Sequence, residues 1–245
     1  MSKDEPEARE FDRSRGIAAK AAGFLYLFTN ATAIVGFYAR GQVYARGDAV
    51  QTARNLATSE RLFRVGIVSE LITVAGVVML VVALYAILEP INRNVALLAA
   101  FWRLLETVVL ALIPLNAFVA LSLLSGADYL RAVDVHHLQA LALMFLRLHL
   151  VGFRIGFLFL GLGSAAFAWL WLKSRYIPRA LAVLGIVASL VMAIAESAII
   201  AFPGLAAVVG LAYMAPMGVF EFTLGGWLLV KGLRTPTSRD GGMQK

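Results

Sequence analysis

The chain contains no cysteine, so disulfides, thiolate nucleophiles and cysteine-ligated metals are excluded from its chemistry. Charge is scarce as well: 15% of the residues are Asp, Glu, Lys or Arg, against about 25% in soluble domains. Histidine occurs only three times, and the spacing is wrong for a metal. His136 and His137 are adjacent, so on a helix their side chains diverge by about 100°. Asp134 adds little to them, and no His-x-x-x-His pair exists. No Gly-rich phosphate loop follows a strand pattern, and the intramembrane serines Ser69, Ser164, Ser189 and Ser197 lack any recognisable nucleophile–base spacing. Transmembrane serines ordinarily bond to their own helix backbone. No cofactor and no metal are therefore expected, and an intramembrane enzyme ranks third, behind the binding and structural readings given below.

What the chain has in abundance is apolar sequence, with 60% hydrophobic residues and a mean hydropathy of +0.80. The apolar residues come in long runs, which predicts an all-α, polytopic membrane protein built as a bundle of six transmembrane helices. The spans fall at about 17–39, 62–88, 95–124, 142–172, 179–201 and 210–230. Residues 1–16 mix both charge signs and read as a mobile tail, whereas 232–245 are rich in Thr, Ser and Gly and read as disordered. Between them, 17–231 form the transmembrane domain. The first span is too long for a signal-peptide core and lacks a following cleavage site. Asn30-Ala-Thr32 lies within it, where a glycosylation sequon has no meaning.

Loop chemistry divides the runs. Asp48 is a predicted cap for a short helix over 49–57, and Thr58 or Ser59 for the next. Pro90 breaks the chain after span two and Asn94 is the expected cap of span three, which Pro114 should kink. The helical pattern resumes near His136, ahead of span four. The net charge of +7 does not indicate nucleic acid, because the basic residues lie at helix ends and in short turns, as membrane topology and anionic lipid require. Basic residues gather on the side of the N-terminus: Lys3, Arg9, Arg13, Arg15, Arg93, Lys173, Arg175, Arg179, Lys231 and Arg234 among them. The other side holds Arg40, Arg46, Arg54, Arg61 and Arg131. Both termini are thus expected in the cytoplasm, with the chain in the cell's inner membrane.

Several ionisable residues interrupt the apolar runs. Glu70, Arg103, Glu106, Arg147, His149, Arg154, Glu196 and Glu221 all fall within predicted spans. A charge at mid-span opposes insertion by roughly 2.5–3.5 kcal/mol, so each needs pairing, hydration or protonation. Counting from span ends places Glu106 and Glu221 near mid-membrane, with most of the others in the outer half. A polar centre opening outward is expected, with these eight residues as candidates. It would bind or conduct a small solute, ion or lipid. The alternative is an ion-pair network that fixes helix packing. Arg103 and Glu106 are three apart on one helix face and suit an internal pair. Arg147 and Arg154 share a face and would take acids from other helices, with Arg64 as a further source of charge.

Small residues supply the packing surfaces. Gly152 and Gly156 have the small-xxx-small spacing, continued by Gly161 and Gly163. Trp102, Trp169, Trp171 and Tyr176 fall where an interfacial aromatic belt would lie. The two halves of the chain show no internal similarity, so the inverted repeat of many transporters lacks sequence support.

The stretch from Leu84 to Glu106, LYAILEPINRNVALLAAFWRLLE, resembles the bacterial membrane family known as the domain of unknown function 4386. LHLVGFRIGFLFLG, from Leu148 to Gly161, and KSRYIPR, from Lys173 to Arg179, strengthen the resemblance, which runs from span one to span six. It implies a six-helix membrane architecture and no particular activity. Arg103, Glu106 and His149 match the family's pattern, whereas Arg154 stands in a slot not associated with arginine. The resulting expectation is a membrane module that binds or transports a small solute, ion or lipid. Its partners are the lipid bilayer and such a ligand, with no nucleic acid. A non-transporting structural or protein-interaction module is the alternative.

Overall fold

A computed structural model describes residues 4–45 and 47–234. Within them the chain forms eight α-helices and no strand. They are α1 (Asp4–Gly41), α2 (Ala49–Thr58), α3 (Glu60–Leu88), α4 (Arg93–Leu123), α5 (Val135–Ser174), α6 (Arg179–Ala201), α7 (Leu205–Val209) and α8 (Ala215–Val230). Short 3₁₀ turns at Asp128–Leu130 and Ala212–Met214 precede α5 and α8. Six helical segments among the described residues are long and apolar enough to cross a membrane: Ser14–Gly41, Glu60–Leu88, Arg93–Leu123, Val135–Ser174, Arg179–Ala201 and Ala212–Val230. The all-α, six-span architecture is therefore that of a multi-pass membrane protein.

Helix ends differ from the sequence reading in physically clear ways. Helix α1 begins at Asp4, ahead of the span predicted from 17. Of the tail predicted to be disordered, 232–245, residues 235–245 lie outside the described residues. Asn92, not Asn94, caps α4: its side-chain oxygen accepts from the Val95 N–H at 3.1 Å. Asp134, weighed above as a metal neighbour, instead caps α5 by accepting from the His136 N–H at 2.9 Å. Pro114 lies inside α4, which runs through it without a break in assignment.

Asp48 caps α2 as expected, accepting from the Gln51 N–H at 2.8 Å. Thr52 and Leu56 are the buried residues of this short helix. Asp48→Ala should destabilise α2 by about 1 kcal/mol, read as faster amide hydrogen exchange over 49–58 with the rest of the chain unaffected.

The chain divides into two compact units. The first takes in the chain up to Leu27, Met79–Arg103 and the chain from Leu160; the second takes in Phe28–Val78 and Leu104–Phe159. In the first, close approach depends on residues without side chains. A Cβ on Gly23 would lie 2.5 Å from the Leu229 nitrogen and 2.8 Å from the Gly225 oxygen, so the backbones of α1 and α8 touch there. Gly161 likewise brings α5 onto α6, where a Cβ would meet the Ser189 oxygen at 2.7 Å. Trp171 is fully buried in this unit, which corrects its assignment to an interfacial belt: it is one of the largest core side chains.

The second unit is built around Val43, Leu56, Phe63, Ile67, Leu121 and Leu146, drawn from the loop after α1 and from α2, α3, α4 and α5. Gly152 and Gly156 act here as the small-xxx-small surface of α5. Cβ atoms on them would sit 3.0 Å from Ile113 and from Leu110 of α4. Outward-facing apolar residues such as Val82, Val108 and Ile194 are more than half exposed. Helices with every backbone bond satisfied internally present such faces to lipid.

Candidate functional site

A buried polar group lies within the second unit and centres on Arg40, in the last turn of α1. Its guanidinium is paired with Glu70 Oε1 of α3 and hydrogen-bonded to His149 Nδ1 of α5. Arginine has no acceptor, so it donates to His149. Nδ1 is then the unprotonated ring nitrogen, and Nε2 carries the proton. The arginine is shielded on another side by Phe153, whose ring centre lies 5.8 Å from the guanidinium carbon. The His149 ring packs edge-on against the same phenyl at 4.4 Å. Arg40 and Glu70 side chains keep 13% and 10% of their surface, so the pair sits in a medium where charge interactions are strong.

Local sequence explains why Glu70 fits against α1. A Cβ on Gly36 would come within 2.8 Å of Glu70 Cγ and 3.1 Å of Oε1. Gly66 performs the same service one turn earlier on α3, against Ala39. Ser69 donates to the Thr32 carbonyl at 2.8 Å, and the Thr32 and Thr73 hydroxyls meet at 2.7 Å. Ser69 thus bonds across helices rather than to its own backbone, unlike Ser189 and Ser197, which donate to Gly185 and Ala193 carbonyls at 2.6 and 2.8 Å. Glu70 Oε2 is buried and has no hydrogen-bond partner among the described residues.

The eight candidates are shared between the units. Glu70, Glu106, Arg147, His149 and Arg154 belong to the second, and Arg103, Glu196 and Glu221 to the first. Arg147 is exposed, and a Cβ on Gly47 would lie 4.0 Å from its guanidinium. It is not the partner of Glu70, and neither is Arg64, which forms an exposed pair with Glu60 at 2.8 Å. Arg154 is half-buried on α5 and Glu106 is buried on α4. In the first unit, Arg103 is buried on α4, and Gly163 leaves room for it: a Cβ there would meet Arg103 Cγ at 2.7 Å. Glu196, 1% exposed, accepts from the Tyr213 hydroxyl at 2.6 Å. Glu221 is half-buried on α8.

Arg40 and Tyr213 are the residues missed by the sequence reading. Arg40 follows the last apolar residue of span one and looked like the start of a loop. The signal was its place one turn after Gly36, on the face that Gly36 opens. Tyr213 lies in a 3₁₀ turn after the break at Phe202–Gly204, where no periodicity fixes a side-chain direction. No group of three His, Asp or Glu side chains able to hold a metal occurs among the described residues.

No curated protein matches the chain, and no solved structure does. Residues 21–232 match the family described as Domain of unknown function (DUF4386). With that match covering all six apolar segments except the first turns of α1, the chain belongs to the DUF4386 family of membrane proteins.

Proposed function

We propose that this protein binds a small polar solute within the membrane, at the Arg40–Glu70–His149 cluster, with Glu70 Oε2 as the contact atom. The observation that carries the reading is that buried oxygen, which accepts no hydrogen bond among the described residues while its twin is committed to Arg40. A buried acceptor left unsatisfied costs about 1–3 kcal/mol, which a donating ligand recovers. The cluster is neutral as a whole, one cation against one anion with an uncharged imidazole. It therefore favours an uncharged donor, an alcohol or amide, over a multivalent ion.

Thermal unfolding of the detergent-purified protein against a panel of glycerol, urea, acetamide and alkali chlorides tests the reading. At 100 times its Kd a ligand adds about 2.7 kcal/mol of stability. At least one uncharged donor should raise the Tm of the parent, and Glu70→Leu should abolish that rise. A panel that moves parent and variant equally overturns the reading.

A second reading has its own support in the closure of Arg40 onto both partners and in the exact room that Gly36 leaves for Glu70. Under it the cluster holds α1, α3 and α5 together and binds nothing. We further propose that both termini face the cytoplasm in the inner membrane, on the excess of basic residues at that side. Reporter fusions at residues 3 and 240 that both report the outer side overturn this.

A further inference from the structure

We propose that the end of the first unit around Tyr176 is a site for the phosphate headgroup of an anionic phospholipid. Four chain segments meet around the Arg15–Tyr176 contact. Arg15 of α1 donates to the Tyr176 hydroxyl and to the Ile87 carbonyl at the end of α3, at 3.0 Å. Its guanidinium carbon lies 4.8 Å from the tyrosine ring centre. The Arg234 N–H, beyond α8, donates to the Tyr176 carbonyl at 2.8 Å. Tyr176 itself stands in the turn between α5 and α6.

Among the described side chains, this junction gathers basic residues. Arg15, Lys173, Arg175, Arg179, Lys231 and Arg234 all lie at or beside it, and all but Arg15 are exposed. The nearby acid Glu89 is taken by Arg93 at 3.3 Å and by the Tyr85 hydroxyl at 3.1 Å. Two of the cations are held on aromatic faces: Lys173 Nζ lies 4.7 Å from the Trp169 ring centre and the Arg234 guanidinium carbon 5.0 Å from that of Trp227. Arg175 closes α5 at φ +58°, a left-handed position where glycine is the usual residue. A cationic side chain stands there instead.

The apolar surroundings choose the source of the phosphate. Val230, 76% exposed, immediately precedes Lys231, and Ile17, 63% exposed, follows Arg15 by two positions. A phospholipid offers a phosphate for the cations and an acyl chain for these side chains. Free phosphate and nucleic acid offer only the first.

The test is binding of dioleoyl phosphatidylglycerol to the full chain in neutral detergent, followed by native mass spectrometry, with dioleoyl phosphatidylcholine as the neutral comparison. The parent should prefer the anionic lipid. Lys173→Gln, Arg175→Gln and Arg234→Gln combined should weaken its binding by roughly 100-fold, from about fivefold for each basic residue at a membrane surface. Lys173→Arg with Arg234→Lys should keep it. Arg61→Gln with Arg64→Gln, in the second unit, should leave it unchanged. If the triple variant fails to fold, Arg175→Gln alone should show the fivefold loss. Unchanged affinity in these variants, an equal loss in the Arg61/Arg64 control, or displacement of the lipid by inorganic phosphate at matching concentration would each overturn the proposal.

Discussion

Arg40→Ala is expected to destabilise the protein by about 3–5 kcal/mol, the usual cost of removing one partner from a buried ion pair. The substitution leaves Glu70 buried, 8% exposed, with neither oxygen matched by a cation. It also takes from His149 Nδ1 the donor it accepts from. Glu70→Ala should cost a similar amount, because it strands the guanidinium instead. Arg40→Met combined with Glu70→Met should recover most of the loss, since apolar replacement of a whole buried pair is often neutral or stabilising. Reversible unfolding in mixed micelles, followed by far-ultraviolet circular dichroism, measures all four proteins. If the double variant loses as much as the two singles added together, the residues are not coupled and the geometry described for them does not operate.

Gly23→Ala and Gly161→Ala form the second large expected effect. Each adds one methyl group where backbone, not a flexible side chain, stands in the way: the Leu229 nitrogen at 2.5 Å and the Ser189 oxygen at 2.7 Å. Neither neighbour can rotate aside, so whole helices must separate. A loss of about 1–3 kcal/mol is expected for each, in the range of overpacked cores. Gly226→Ala, on the same helix as Gly225 but with nothing within 4 Å of its added Cβ, should be neutral or gain up to about 1 kcal/mol through helix propensity. The same micelle unfolding experiment separates the cases. Equal effects at Gly23 and Gly226 would show that propensity, not contact, governs these positions.

The six long helices were legible because run length and hydropathy alone determine them. Asp48 was legible as a cap because its side chain acts within one turn of itself. What escaped depends on distance in sequence. Glu70 and His149 were recognisable as costly residues, but nothing local to either names Arg40, which lies 109 positions from His149. Trp171 was misplaced for the same reason: its position near a helix end suggested an interface, and only the packing of other segments buries it. Asn92 and Asn94 stand two apart in one turn, and which of them caps α4 depends on where the preceding helix lets the chain go.

The shared arginine has a consequence for how the chain is made. Synthesis delivers Arg40 to the membrane before either of its partners exists, because Glu70 is 30 residues later and His149 109. Until α3 emerges, the end of α1 carries an arginine without its acid. The Arg40–Glu70 pair therefore cannot form before α3 is made, nor the Arg40–His149 contact before α5.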